Sequence, residues 1–197
     1  VFGAPVTDRE KALMQVGALI EQPALYENLT AQDHLRMAAR YYPGVDQARM
    51  DKVLEIVGLT PYRKERCGKF SLGMKQRLGL ALALMNHPDF LILDEPTAAL
   101  NERDSRNLLD LLKTLQQEGI TCIIISHKLN EICYIANSIT VLRDGRTVAD
   151  FEDASQVSED TLIKHMVGRE LSNRYPPRAH KPSEDVFFEV KDWCVHH

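Results

Sequence analysis

The sequence predicts an α/β protein built on a parallel β-sheet, and two observations carry this prediction. Residues 90–93 and 123–125 are short, continuous apolar runs, which are typical of strands buried on both faces of a parallel sheet. Helix-like segments alternate with strands from residue 89 onward, which is the β-α-β order of such a sheet. A chain of 197 residues is long enough to bury a core and to form about one domain.

A helical region is predicted between residues 29 and 86, ahead of the first of these strands. Thr30 and Asp33 have the spacing of a capping box, in which each residue bonds the backbone of the other. Ser71 is a good N-cap, and Gly58 is typical of the position just past a helix end. The helices predicted in this region are 30–41, 46–57 and 71–85.

The later part of the chain continues the alternation and adds a hairpin. Residues 138–143 and 146–151 are predicted strands, and the Asp144-Gly145 pair between them favours a tight two-residue turn. The other elements predicted here are the helix 102–118 (closed by Gly119), the strand 121–126 and the helices 129–136 and 158–167.

Polar residues follow the ends of both buried strands. Asp94 and Glu95 come directly after the first strand, and His127 follows the second. Open α/β sheets bind ligands at the carboxyl ends of their strands, so these side chains mark a candidate site. Taken singly, the observations also fit a core strand followed by a polar turn and a structural histidine.

The start of the predicted helix 71–85 suits a phosphate group. Free backbone N–H groups and about half a positive charge at a helix N-terminus attract anions. Gly73 lets the backbone come close to a ligand, and Lys75 adds positive charge. An ordinary capped helix without a ligand is the alternative interpretation.

Together, and in this order, the segments resemble the ATP-binding cassette (ABC) ATPases over nearly the whole chain. Asp94 matches the Walker B aspartate of that family, and Glu95 matches the glutamate that activates water. His127 matches the switch histidine, and Asn101 stands in the D-loop, where aspartate is usual. The resemblance implies the parallel sheet of a P-loop NTPase-like nucleotide-binding domain, with a helical subdomain at about 29–86.

Two further motifs of the family are present, each with residues that differ from the usual pattern. The Q-loop falls within residues 17–23, where Glu21 aligns with the usual glutamine and Gln22 follows it. The signature motif LSGGQ corresponds to Ser71, Leu72, Gly73, Met74, Lys75 and Gln76. Leu72 and Met74 are its departures from the usual pattern.

One motif of the family is missing from these residues. A Walker A loop needs G-x-x-x-x-G-K-[ST], whose backbone amides and lysine cradle phosphates. The only Gly-Lys pair, Gly68-Lys69, is followed by Phe70 and does not fit. Since the family places this loop before the Q-loop, we expect residues 1–171 to form a partial nucleotide-binding domain that lacks the N-terminal Walker A portion.

The last residues predict a change of domain. Residues 172–185 are rich in proline and charge, which is typical of a linker. Residues 186–197 begin with an alternating pattern that resembles the first strand of a second cassette. A frayed C-terminal tail is the alternative for this segment.

Composition excludes several classes of protein. The net charge of −4, without a basic stripe, argues against a nucleic-acid partner. Cys67, Cys122, Cys133 and Cys194 lack metal-site spacing and are expected to be free thiols of a cytosolic protein. No apolar run approaches the 18 residues or so that a membrane span needs, and no secretory signal is visible.

The resemblance implies a mechanism that uses ATP and Mg²⁺. Asp94 would hold Mg²⁺, usually through water, Glu95 would take the proton of the attacking water, and His127 would contact the γ-phosphate. The signature residues would close over ATP held by a facing cassette, so a second cassette, in tandem or as a dimer, is an expected partner. Transmembrane permease subunits would hold the chain at the cytoplasmic face of the membrane, and a solute-binding protein is a further candidate partner.

The two halves resemble different transporters. Residues 1–93 resemble exporters of bacitracin- and lantibiotic-type peptide antibiotics, and residues from 95 onward resemble tandem-cassette importers of ribose, galactose and related monosaccharides. The switch falls within LILDEPT, residues 91–97, which both branches share. A natural mosaic and an artificial join of two genes both explain it, and the join is favoured. The importer-type half carries the more specific phrases, so monosaccharide import is favoured over peptide-antibiotic or multidrug export.

Two other classes use similar residues. Soluble cassette proteins that act on ribosomes or in DNA repair share the site chemistry, but they should carry a basic arm or long charged helices, which are absent here. A non-catalytic ABC-like module would explain the missing Walker A loop.

Overall fold

The computed structural model describes residues 13–167 and Glu189. Its main sheet has three parallel strands in the order β1-β2-β3, and their bounds are Val16–Ile20 (β1), Phe90–Asp94 (β2) and Thr121–Ile125 (β3). The predicted α/β class with a parallel sheet is confirmed. Apart from Glu189, the predicted linker 172–185 and the predicted second cassette 186–197 lie outside the described residues, as does Cys194.

Strand β1 corrects the predicted start of the Q-loop. Residues 17–20 were assigned to that loop, but they pair with β2, with Gly17 opposite Leu91 and Ile20 opposite Asp94. The strand contains a glycine and an alanine among its five residues, so it lacks the run of bulky apolar residues that identified β2 and β3. The loop therefore begins at Glu21.

Six α-helices lie wholly within the described residues. Their bounds are Ala31–Ala39 (α1), Gln47–Ile56 (α2), Leu72–Ala83 (α3), Glu102–Gln117 (α4), Leu129–Ile135 (α5) and Glu159–Val167 (α6). The predicted capping box is present, because the Asp33 N–H donates to Thr30 Oγ1 at 3.1 Å and the Thr30 N–H donates to Asp33 Oδ2 at 3.2 Å. The Thr30 hydroxyl also donates to Asp33 Oδ2, at 2.6 Å, and this bond, followed by that of the Thr30 N–H, lowers the pKa of Asp33. Gly58 follows α2 with a φ of +69°, as expected of a glycine past a helix end.

The main core lies on one face of the sheet. Leu19, Leu91 and Leu93 point to this face and are buried, together with side chains of α1, α2, α3 and α4. The apolar runs predicted burial on both faces, but Ile123 and Ile125 are about half exposed. Within residues 13–167, helices cover only the first face, so the prediction of burial on both faces is wrong for this part of the chain.

The predicted hairpin is present and has a small core of its own. Its strands are Ile139–Arg143 (β4) and Arg146–Phe151 (β5), paired antiparallel. Asp144 and Gly145 have φ values of 52° and 72°, the left-handed conformation that a tight hairpin turn of this type requires. Buried apolar side chains of β4 and α6 form the second cluster.

None of the helices within residues 13–167 combines the length and the apolar content that crossing a membrane requires. Three of the predicted free thiols, Cys67, Cys122 and Cys133, are unpaired in the described chain. Burial raises the pKa of the Cys122 thiol to about 11, so this thiol is protonated and inert at neutral pH.

Candidate active site

The carboxyl edge of the sheet brings the predicted catalytic residues together. The parallel register aligns Ile20, Asp94 and Ile125, the last residues of the three strands. Hydrogen bonds continue past this point, since the Glu21 N–H donates to the Asp94 carbonyl and the Glu95 N–H donates to the Ile125 carbonyl, each at 2.8 Å. The residues that follow each strand are therefore neighbours in space.

Two residues at this edge have an unusual backbone conformation. Glu21 and Glu95 each have a φ of 46°, in the left-handed region that residues other than glycine seldom occupy. Such a conformation costs on the order of 1–3 kcal/mol and persists only where surrounding contacts enforce it. The inter-strand bonds at Glu21 and Glu95 supply part of that enforcement.

The carboxylate of Glu95 is bonded to the loop that carries His127. Glu95 Oε1 accepts from the His127 N–H at 3.0 Å and lies 2.7 Å from His127 Nδ1. The other oxygen, Oε2, accepts from Ser126 Oγ at 3.4 Å. Because Nδ1 faces a carboxylate, it is assigned as the protonated ring nitrogen.

Exposure differs between the two members of this pair. The side chain of Glu95 is 22% exposed and that of His127 is 70% exposed. Within the described chain, Nε2 of His127 has no hydrogen-bond partner. The pair thus presents a partly shielded carboxylate and a ring nitrogen that is open to a ligand.

Asp94 ends β2 beside this pair and is partly buried. Within the described residues, no three His, Cys, Asp or Glu side chains converge in a way that could hold a metal. Mg²⁺ commonly takes one or two carboxylates, with water and substrate phosphates as its other ligands. A single carboxylate at the ligand-binding edge fits that mode, and the role of Asp94 stays a prediction.

The signature residues divide into exposed and buried positions. Ser71 is exposed, and its hydroxyl accepts from the Met74 N–H at 3.2 Å as the N-cap of α3. Leu72 is half exposed, and Met74 packs at the edge of the core. Lys75 is paired with Glu27, at 3.2 Å between Nζ and Oε1. The positive charge of Lys75, which was predicted to attract a phosphate, is therefore partly neutralised by the Glu27 carboxylate.

Gly73 is buried against a residue that sequence reasoning missed. A methyl group at Gly73 would lie 3.0 Å from Cγ and Oδ2 of Asp104. Asn101 fixes that carboxylate, since its Oδ1 accepts from the Asp104 N–H at 2.8 Å and its Nδ2 donates to Oδ2 at 3.0 Å. The D-loop residue Asn101 thus acts as the N-cap of α4 and orients the carboxylate that packs on the signature glycine.

Gln76 joins three segments of the site from inside the core. Its side chain is 6% exposed, and Nε2 donates to the carbonyls of Glu21 and Pro96, each at 2.7 Å. Sequence reasoning assigned this residue to ligand binding, and that role stays a prediction; its Nε2 is occupied by the two bonds within the chain. Gln76 links α3 to the residues that follow β1 and β2.

Replacing Gln76 with leucine is expected to destabilise the chain by on the order of 3 kcal/mol. Leucine has a similar volume but no donor, so the carbonyl of Pro96, in a buried bond, and that of Glu21, in a part-buried one, would lose their partner. Urea unfolding followed by circular dichroism measures the effect. Gln47→Leu is the matched control, because Gln47 is an exposed helix residue that bonds only the neighbouring Asp51. Equal unfolding midpoints for the two variants would contradict a linking role for Gln76.

A cleft of about 520 Å³ opens between these segments. It contains Glu95, both predicted Q-loop residues and three of the predicted signature residues. Its walls are formed by Ile20, Glu21, Gln22, Pro23, Leu72, Lys75, Gln76, Glu95, Ala98, Ala99 and Leu100. Asp94, Asn101, His127, Ser71, Gly73 and Met74 do not line it.

Known proteins are similar to this chain in fold and in sequence. The chain resembles cbiO1 of Clostridium perfringens, part of an ABC transporter complex, with a TM-score of 0.69 and 27% identity over 79% of this chain and 64% of that one. The family model described as ABC transporter matches residues 1–98. The fold class is thus that of ABC nucleotide-binding domains.

Sequence relatives narrow the comparison. The chain is 50% identical over 151 residues to the L-arabinose transport ATP-binding protein AraG of Geobacillus stearothermophilus, covering 76% of this chain and 29% of that protein. It is 38% identical over 187 residues to the xylose import ATP-binding protein XylG of Shigella flexneri serotype 5b, covering 93% of this chain and 34% of that protein. The chain belongs to the ABC transporter family. It spans about a third of the length of these curated relatives.

Proposed function

We propose that this chain is the ATPase segment of an ABC transporter that imports a monosaccharide, with Glu95 and His127 as its catalytic pair. The observation that supports it best is the Glu95 carboxylate at the carboxyl edge of the sheet, 2.7 Å from His127 Nδ1. Phosphoryl transfer to water depends mainly on positioning and charge stabilisation, and these two residues supply both.

The geometry suggests a division of work within the pair. Oε1 of Glu95 is held by both N–H groups of His127, whereas Oε2 has only a 3.4 Å contact with the Ser126 hydroxyl. Oε2 is therefore the oxygen that would accept the proton of an attacking water. His127 would turn Nε2 towards the γ-phosphate, since Nδ1 is occupied by Glu95.

Other residues would hold the nucleotide and its metal. Asp94 would bind Mg²⁺ through water, and Mg²⁺ would supply charge stabilisation of the phosphates. Ser71 and Leu72 are exposed at the start of α3, where they could contact ATP carried by a second cassette. Gly73, buried on Asp104, would support that contact from behind.

Partners and location follow from this function. Transmembrane permease subunits would hold the chain at the cytoplasmic face of the membrane, with a second cassette as its neighbour across the nucleotide. A solute-binding protein would deliver the sugar. Nucleic acid is not an expected partner for a chain with a net charge of −4.

The relatives favour import for both halves of the chain. Their names assign them to arabinose transport and xylose import. A match of 187 residues within a chain of 197 must include most of both sides of residues 91–97, where the sequence resemblances change. One importer-type relative thus matches the chain on both sides of this segment, which supports import over export of a peptide antibiotic.

The chain by itself should turn over ATP no faster than its Glu95→Gln variant. The reason is that these 197 residues contain no Walker A loop to cradle the phosphates. Phosphate release from Mg²⁺-ATP measures the turnover. Clear turnover by the chain that disappears in the variant would show that hydrolysis does not need a Walker A loop from another segment or protein.

A chimera tests the transport role. In it, the 151 aligned residues of the Geobacillus arabinose protein are replaced by the matching residues of this chain. If the chain belongs to an importer, cells that depend on the chimera should take up labelled arabinose. ATP hydrolysis without uptake would contradict the import role and leave the ATPase role standing.

A further inference from the structure

A partly buried carboxylate on α5 holds the segment that follows Glu95. The side chain of Glu131 is 11% exposed, and its Oε2 accepts the hydroxyl hydrogen of Thr97. Its Oε1 lies 3.4 Å from Lys128 Nζ. Thr97 itself is 0% exposed. A carboxylate that is nearly buried needs a cation and a donor of this kind to offset its lost hydration.

The lysine that pairs with Glu131 also bonds the backbone of Thr97. Lys128 Nζ donates to the Thr97 carbonyl at 2.7 Å, so both the side chain and the backbone of Thr97 are fixed. We call Thr97, Lys128 and Glu131 the Thr97 clamp. Its three side chains do not line the 520 Å³ cleft, so the clamp has no direct contact with a ligand there.

The clamp joins the two loops that carry the catalytic pair. Thr97 lies two residues after Glu95, in a turn where the Ala98 N–H donates to the Glu95 carbonyl at 3.1 Å and the Leu100 N–H donates to the Thr97 carbonyl at 3.0 Å. Lys128 follows His127 directly, and its N–H donates to Ser126 Oγ at 3.1 Å. The clamp and the direct bond between Glu95 and His127 therefore connect the same two loops at different points.

We propose that Glu131 is a positioning residue, which acts through Thr97 and Lys128 to keep Glu95 oriented towards His127. The direct bond to an exposed histidine competes with water, whereas the clamp is better shielded, since Thr97 is fully buried and the side chains of Glu131 and Lys128 are 11% and 27% exposed. By holding Thr97, the clamp thus helps to enforce the left-handed backbone conformation of Glu95. The catalytic meaning of the clamp rests on the proposed function, but its structural effect is measurable in the chain without ATP.

The test compares Thr97→Val with Thr97→Ser in the 197-residue chain. Valine matches threonine in shape and removes the hydroxyl donor, whereas serine restores it. Loss of one buried hydrogen bond to a charged group should raise the amide exchange rates of Ala98 and Leu100 by about tenfold or more. The imidazole ¹⁵N signals of His127 should move in the valine variant and return in the serine variant.

A second variant and a control keep the test decisive. Glu131→Gln keeps the size of the side chain and an acceptor for Thr97 but removes the charge opposite Lys128, so it should shift the His127 signals if Thr97→Val does not fold. Glu118→Gln, at the exposed end of α4, should leave both readouts unchanged. Folded clamp variants with unchanged exchange and unchanged His127 signals would overturn the proposal. An inactive chimera with the expected clamp results would instead overturn the proposed function alone.

Discussion

Replacing Glu95 with glutamine in the arabinose-protein chimera is expected to lower the maximal rate of ATP hydrolysis by about 10²–10⁴-fold, the usual contribution of a positioned general base. Glutamine keeps the shape and an acceptor for the His127 N–H groups but cannot take a proton from water. The effect should fall on kcat, while KM for ATP changes little, because the substitution alters the chemical step.

The control for this prediction is Glu102→Gln. Glu102 is an exposed carboxylate in the first turn of α4, a few residues from Glu95 in sequence and outside the cleft. The control should hydrolyse ATP at the rate of the unmodified chimera. If Glu95→Gln and Glu102→Gln were equally active, Glu95 would not be the catalytic base.

Replacing Gly17 with alanine is expected to destabilise the chain by about 3 kcal/mol or more, at or above the upper end of the range for an overpacked core. The added methyl group would lie 2.3 Å from the carbonyl oxygen of Ala83 and 2.7 Å from Cδ2 of Leu91. The first contact is with backbone, so it is relieved only if α3 moves away from β1. Thermal and urea unfolding of the 197-residue chain measure the loss.

Ala18→Ser is the matched control for Gly17→Ala. Ala18 is the next residue of β1 and lies on the exposed face of the sheet, so its substitution should change the unfolding midpoint little. If Gly17→Ala were as stable as this control, the close approach of α3 to β1 would be wrong.

The approach of α3 to β1 explains how the signature residues reach the catalytic edge. Gly17, at the start of β1, meets Ala83 at the end of α3, and Leu19 meets Gly79, where an added methyl group would lie 2.8 Å from Cδ1 of Leu19. Beyond the strand, the Glu21 carbonyl accepts from Gln76. The contacts run in opposite chain directions, so α3 is antiparallel to β1 and its N-terminus lies at the carboxyl edge of the sheet.

Patterns that are local in sequence predicted most of the fold. Strands β2 and β3 are apolar runs, and the Asp144-Gly145 turn and the Thr30 capping box are signalled by a few adjacent residues. Strand β1 was missed because its glycine and alanine interrupt the apolar pattern, and its pairing with β2 depends on residues about seventy positions away. Full burial of the sheet was wrongly predicted from the apolar runs, since the runs report side-chain polarity and not what covers them.

Only part of the site was predicted, again because sequence patterns report local structure and not contacts between distant residues. Glu95 and His127 follow strands that are recognisable in sequence, and the parallel register brings them to one edge. The bonds of Gln76 to two carbonyls depend on which helix face meets the sheet, and the weak amphipathicity of α3 does not indicate that face. Thr97 and Glu131 are 34 positions apart, and no sequence pattern connects them.

The rate of ATP hydrolysis by the chimera tests the proposed function most directly. Any Walker A loop in the chimera comes from the arabinose protein, and its catalytic pair, signature residues and Thr97 clamp come from this chain. If Glu95, His127 and α3 form a working half-site, the chimera should hydrolyse ATP within about tenfold of the parent protein, a difference of about 1.4 kcal/mol in activation free energy. A folded chimera that binds ATP but hydrolyses it no faster than its own Glu95→Gln variant would contradict the proposal.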